Sequence, residues 1–133
     1  VKNGLGAPAQ APGGGTFQFI DTPTISGNTV AFYATYSSGT EGTLGVFTGA
    51  GGGLTAIATG GNGASAQVPG GGTFTGFGLP SISGSTVAFI GGYSGGAGNR
   101  GIFSANGGIL TAIAISGITP APAAARSASS STL

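Results

Sequence analysis

The chain has 133 residues, of which 31 are glycine and 7 are proline, while charged residues make up only 4%. It contains no histidine and no cysteine, which excludes a Ser-His-Asp triad, thiolate chemistry, disulfides and the nitrogen and sulfur ligands of transition-metal sites. Three scattered cations form no basic face for a nucleic acid, and no stretch approaches the roughly 20 apolar residues of a membrane span.

Two carboxylates remain as candidates for acid–base chemistry. Asp21 and Glu41 are the only acidic residues, and neither has a counterpart in the second half of the chain. A carboxylate pair of the kind that glycosidases use is one interpretation, and two solvated loop carboxylates are the other. We favour the second interpretation, and we therefore expect no enzymatic activity, no cofactor and no metal site.

An internal repeat organises the sequence. The phrase ISGNTVAF at residues 25–32 returns as ISGSTVAF at residues 82–89, and PGGGTF at residues 12–17 returns unchanged at residues 69–74. These matches lie 57 positions apart, and the spacing falls to 56 from Gly45 onward because a loop of the second copy is one residue shorter. The chain divides into a lead-in (1–11), repeat 1 (12–60), a linker (61–68), repeat 2 (69–115) and a tail rich in Ser, Thr, Pro and Ala (116–133).

The first predicted element of each repeat is a hairpin. In repeat 1 two short strand-like runs flank Gly27 and Asn28, and in repeat 2 equivalent runs flank Gly84 and Ser85. Glycine at the first central position supplies the positive φ that a type II′ turn needs, and the twist of this turn matches that of the strands. The requirement for glycine explains why the phrase recurs almost unchanged.

Alternating strands follow each hairpin turn. Val30, Phe32, Ala34 and Tyr36 alternate with their neighbours at a period of two, which indicates a half-buried strand. Each repeat is therefore predicted to be a four-stranded antiparallel meander. The remaining predicted strands are Leu44–Phe47 and Leu54–Thr59 in repeat 1, and Arg100–Phe103 and Ile109–Ile115 in repeat 2, with a second hairpin signal at Asn106 and Gly107.

The predicted fold class is all-β, with two tandem meanders that resemble propeller blades and do not close into a propeller. Closed propellers need about four to eight blades, and stacked repeats usually need at least about three units to bury their faces. Two repeats either pack together as a sandwich or leave edges and faces for neighbouring chains. The few charged side chains cannot protect such edges from association.

The tail has the composition of an O-glycosylated stalk, because its Ser and Thr residues follow a segment rich in Pro and Ala. A plain flexible tail is the alternative. Glycans would supply part of the solvation that a surface with so few charges lacks. The candidate O-glycosylation residues are Ser127, Ser129, Ser130, Ser131 and Thr132.

Four segments of repeat 2 carry a family resemblance: PGGGTF at 69–74, PSISGSTVAF at 80–89, GIF at 101–103 and GGILTAIA at 107–114. This layout resembles that of bacterial secreted tandem-repeat proteins of unknown function that carry varied C-terminal anchors. A related pattern, NxxGxxAF, is matched only at its Ala-Phe end, as at residues 88–89. The resemblance implies export, an extracellular or cell-surface location and several propeller-like units. The chain also resembles subunits of extracellular filaments.

Two functions follow from these features. The first is a structural subunit that assembles with copies of itself into an extracellular, O-glycosylated helical filament. The alternative is a secreted binding or adhesion module that uses Tyr33, Tyr36 and Tyr93 as a stacking surface. The expected partners are further copies of the chain and covalent glycans, and self-assembly is the property that separates the two functions.

Overall fold

The computed structural model describes residues 10–12, 14–21, 23–37, 43–61 and 66–116. All regular elements in these ranges are β-strands, so the predicted all-β class is confirmed. The ten strands are β1 (Thr16–Ile20), β2 (Thr24–Ser26), β3 (Thr29–Ser37), β4 (Leu44–Gly49), β5 (Leu54–Gly60), β6 (Thr73–Phe77), β7 (Ser81–Ser83), β8 (Thr86–Ser94), β9 (Arg100–Asn106) and β10 (Ile109–Ser116).

Each repeat forms one open antiparallel sheet. In repeat 1 the strand order is β1-β3-β4-β5, and β2 pairs with the first half of β3 while β1 pairs with the second half. Repeat 2 has the same arrangement, with β6 and β7 beside β8. The predicted meander is therefore present, but each sheet has five strands because two short strands share its first position. Proline, which cannot donate to the ladder, stands immediately before β2 and β7, at Pro23 and Pro80.

The equivalence of the two repeats begins before residue 12. Gln10 forms an isolated antiparallel bridge with Thr16, and Gln67 forms the same bridge with Thr73. The end of the lead-in and the end of the linker therefore have the same local structure. The repeated structural unit includes at least these two flanking residues in addition to the strands.

One face of each sheet is aromatic. In repeat 1 the rings of Phe32 and Phe47 stack with centroids 5.6 Å apart at 28°, and Phe17 meets Phe47 edge-on at 5.2 Å. Offset-stacked and edge-on pairs of this kind stabilise a core beyond the area they bury. We name these surfaces the aromatic faces; their main residues are Phe17, Phe32, Tyr36 and Phe47 in repeat 1, and Phe74, Phe89, Tyr93 and Phe103 in repeat 2.

The opposite face of each sheet is aliphatic, because successive side chains of a strand point to opposite sides. In repeat 1 this aliphatic face contains Ala31, Val46 and Ala58, all with no exposed surface. These three residues belong to the same buried cluster as the aromatic face of repeat 2. The two sheets are thus stacked in the same sense, with the aliphatic face of the first on the aromatic face of the second.

One glycine in each sheet, on β4 in repeat 1 and on β9 in repeat 2, permits close packing against the neighbouring strand, where the pairing contains a β-bulge. A Cβ atom at Gly45 would lie 2.7 Å from the carbonyl oxygen of Ala58 and 3.1 Å from Cζ of Phe47. A Cβ atom at Gly101 would lie at the same distances from Ala114 and Phe103. Because a backbone carbonyl cannot move without disturbing the ladder, even one methyl group overpacks this position.

We expect Gly101→Ala to lower the free energy of unfolding by about 1–3 kcal/mol, since the added methyl group meets backbone and a buried ring. Gly76→Ala is the matched control, because a Cβ atom there has no neighbour within 4 Å and should change stability by about 0.5 kcal/mol or less. Urea unfolding followed by tyrosine fluorescence measures both. Equal effects at the two positions would contradict the packing argument.

Candidate functional site

The candidate glycosylation residues Ser127, Ser129, Ser130, Ser131 and Thr132 lie outside the described residues, as does Glu41.

Gly27 and Asn28 lie between β2 and β3, where Ser26 pairs with Thr29 and leaves two central residues. Gly27 has a φ of 59° and its counterpart Gly84 a φ of 58°, so both occupy the left-handed region that these turns require.

Charged and metal-ligating groups are sparse in the part of the chain that the structure describes. Asp21 follows β1, and its backbone N–H donates to the carbonyl oxygen of Tyr33 at 2.9 Å. Arg100 begins β9 and is exposed. Across the described ranges, no three His, Cys, Asp or Glu side chains come together as a metal site, and no helix is long and apolar enough to cross a membrane.

The three tyrosines do not form a common stacking surface. Tyr36 and Tyr93 are buried on the aromatic faces of repeats 1 and 2, and only 2% and 4% of their surface is exposed. The Tyr93 hydroxyl donates to the carbonyl oxygen of Ala97 at 2.7 Å, and burial raises the pKa of Tyr93. Tyr33 points to the opposite side of its sheet, among the aliphatic residues. The stacking surface that the alternative function requires is therefore not formed, and Tyr36 and Tyr93 have a packing role.

The most unusual surface is the aliphatic face of repeat 2. Val46 in repeat 1 has no exposed surface, whereas its counterpart Ile102 is 46% exposed. Ala58 is likewise buried, and its counterpart Ala114 is exposed. The two faces are built from equivalent positions and similar side chains, but only the first is covered by another sheet.

This exposed aliphatic face gathers most of the large apolar side chains that reach solvent. Seven large hydrophobic side chains are exposed among the described residues, and four of them project from this face. Contiguous apolar surface of this kind usually marks an interaction site. The four residues are Ile90, Ile102, Ile109 and Ile113.

A second incomplete surface lies on the aromatic face of repeat 1. A cavity of about 950 Å³ opens there, lined in part by Val30, Phe32 and Leu54. Val30 is only half-buried, whereas its counterpart Val87 is buried beneath repeat 1. We call this surface the open corner; it is formed by Pro12, Ile20, Pro23, Val30, Phe32 and Leu54.

The sequence predicts that two repeats can leave faces for neighbouring chains, but it does not locate these two surfaces. Val46 and Ile102 are equally apolar, as are Val30 and Val87, so the pattern of hydrophobicity does not reveal which copy is covered. The only signal in the sequence was the number of repeats, because a linear stack of two sheets leaves two faces without a neighbour.

A comparison with protein-family models matches residues 1–131 to a family of unknown function, DUF7453. The chain belongs to this family. The match spans both repeats. No curated protein and no solved structure matches the chain.

The difference between the covered and uncovered faces is measurable in the isolated chain. Val46→Ala should lower the free energy of unfolding by about 2 kcal/mol because it opens a buried cavity, whereas Ile102→Ala should cost less than about 1 kcal/mol although it removes more atoms. Thermal unfolding of dilute protein measures both. A larger loss at Ile102 would mean that its face is covered in solution.

Proposed function

We propose that the chain is a structural subunit of an extracellular homopolymer, an O-glycosylated helical filament in which copies stack end to end. The observation that carries this proposal is the unequal coverage of equivalent faces. The aliphatic face of repeat 1 is buried by a second sheet, and the same face of repeat 2 exposes Ile102 and Ile113 to solvent.

The stacking sense favours a polymer over a symmetric dimer. One end of the stack exposes the aliphatic face of repeat 2. At the other end the aromatic side chains of repeat 1 are buried, and the open corner beside them is the apolar surface that remains accessible. Unlike surfaces that fit one another make a heterologous contact, and a heterologous contact that does not close on itself propagates as a filament. Each added copy then covers one exposed face and presents another.

The composition supports a structural role in an extracellular setting. A chain with only 4% charged residues has little repulsion to keep copies apart, and its Ser and Thr side chains suit O-linked glycans. Sugars on Ser127, Ser129, Ser130, Ser131 and Thr132 would solvate the polymer. Intact mass spectrometry of chains from their native source should show masses above the bare polypeptide; the bare mass alone would remove the glycan part of the proposal.

Sedimentation velocity of the purified chain tests assembly. We expect masses that grow continuously with concentration, because a heterologous contact has no fixed end point. A monomer at high concentration would contradict the proposal and would favour a secreted binding module. A single discrete oligomer would show that the stack closes into a ring, and would contradict the filament.

A matched pair of variants tests the exposed aliphatic face. Ile113→Lys should weaken association by about 100-fold or more, because it places an unpaired charge in an apolar contact. Phe19→Lys adds the same charge at a side chain of similar exposure, 54% against 58%, but on the face of repeat 1 that packs against repeat 2. Association should survive in the Phe19 variant. Equal loss in both would show that added charge alone prevents assembly.

A further inference from the structure

We propose that the junction between the two sheets inside one chain is repeated between chains. The aliphatic face of repeat 2 docks on the open corner of repeat 1 in a second copy. This inference rests on the proposed function and specifies its interface. It follows from the contacts that form the internal junction and from the exposure of the equivalent groups at the two free ends of the stack.

Two hydrogen bonds cross the internal junction at the tips of the sheets. The Thr24 hydroxyl donates to the carbonyl oxygen of Pro80 at 3.4 Å, and the Gly84 N–H donates to the Ser26 hydroxyl at 2.8 Å. Each bond joins a side-chain hydroxyl of repeat 1 to a backbone group of repeat 2. The hairpin of β2 and β3 therefore lies against the hairpin of β7 and β8.

The free ends retain every group that these two bonds require. Ser81 and Ser83 occupy the positions of Thr24 and Ser26, so repeat 2 still carries a hydroxyl at both places. Both are exposed, as are Pro23 and Gly27, which are the counterparts of the backbone partners. Pro80 is fully buried by the junction, whereas Pro23 is exposed. The groups that form these hydrogen bonds therefore occur twice in the chain, but only one set of them is paired at the internal junction.

The apolar edge of the junction shows the same relation, whereas the central aromatic side chains of repeat 1 are already buried within their own repeat unit's cluster. Ile57 and Thr48 of repeat 1 face Ile82 and Val87 of repeat 2 across a narrow residual space of about 250 Å³. Ile57 and Ile82 both pack against the buried cluster between the sheets. The larger cavity at the open corner, about 950 Å³, lies where this packing has no equivalent.

The counterparts of these residues match the two free surfaces. Ile113 is the counterpart of Ile57, and it is 58% exposed on the aliphatic face of repeat 2. Ile25 is the counterpart of Ile82, and it is 67% exposed beside the open corner. In the inferred contact Ile113 of one copy packs against Ile25 and Val30 of the next, as Ile57 packs in the internal junction.

The occupant of the open corner is a second copy because the complementary surface is already known from this chain. The described lining of the cavity contains no charged side chain, so it offers no recognition of an ionic ligand. Pro23 and Val30 in this lining are the counterparts of Pro80 and Val87, which receive repeat 1 inside the chain. A small apolar molecule is the competing occupant, and the experiment below separates the two.

Cross-linking can compare the inferred contact directly with the internal one. The chain has no cysteine, so introduced thiols are unique. A chain carrying Ile57→Cys and Ile82→Cys calibrates the reach: the shortest bismaleimide that links this pair within one chain is chosen. The same reagent is then added to a mixture of Ile113→Cys chains and Ile25→Cys chains.

We expect the mixed dimer to exceed either homodimer by about tenfold, since residue i contacts residue j and not its own copy in a heterologous interface. Sedimentation of the same mixture separates the two proposals. Association without preferential mixed cross-linking overturns this interface and leaves the filament intact, and absence of association overturns both. A homodimer through Ile113 would show a two-fold contact and overturn the interface.

A fluorescent apolar probe, ANS, tests the competing occupant. On the inferred interface, ANS fluorescence should fall as chain concentration rises, because a second copy fills the open corner. Val30→Lys should lower both ANS binding and association. ANS binding that is unaffected by concentration and is lost in the Val30 variant, without mixed cross-linking, would assign the corner to a small apolar ligand.

Discussion

A sheet with two apolar faces cannot leave either of them in water without losing stability, and this constraint governs the arrangement of the chain. Each fully buried Val or Phe side chain contributes about 1.5–3 kcal/mol relative to exposure. The aliphatic face of repeat 1 gains this stabilisation by lying on the aromatic face of repeat 2. Backbone hydrogen bonding beside the junction supports this contact. Gly61 N–H, for example, donates to the Phe74 carbonyl oxygen at 3.1 Å and fixes the first strand of repeat 2 beside the last strand of repeat 1.

The sequence was sufficient to predict the class, the repeat and most strands, because the alternation from Thr29 to Ser37 and the turn glycines are local signals. The first strand of each repeat was not predicted. A register shift between Phe17 and Phe19, and another between Phe74 and Gly76, breaks the alternation in the strands where it would have been recognised. The position of the bulge depends on how the strand pairs with a strand that is distant in sequence. Hydrophobic periodicity carries no information about that pairing.

The candidate site was less predictable than the fold because it depends on coverage rather than on residue type. The sequence is compatible with Tyr36 and Tyr93 lying on an exposed face of their strands. Only the direction in which the sheets stack shows that they face the interior. The junction itself uses hydroxyl and backbone hydrogen bonds around apolar packing, with no ion pair among its described contacts. Such a contact is little screened by salt, since screening acts on charges. A chain with few ionisable groups is therefore well suited to holding its sheets together across a wide range of ionic strength.

The same-sense stacking of the two sheets has a consequence for how such chains change in length. Because every sheet has an aromatic face on one side and an aliphatic face on the other, adding or deleting a whole repeat leaves the kind of face at each end of the stack unaltered. Gene duplication can thus lengthen the polypeptide in steps of one sheet without inventing a new contact. The number of repeats can therefore change during evolution, while the residues that form the two terminal faces stay the same.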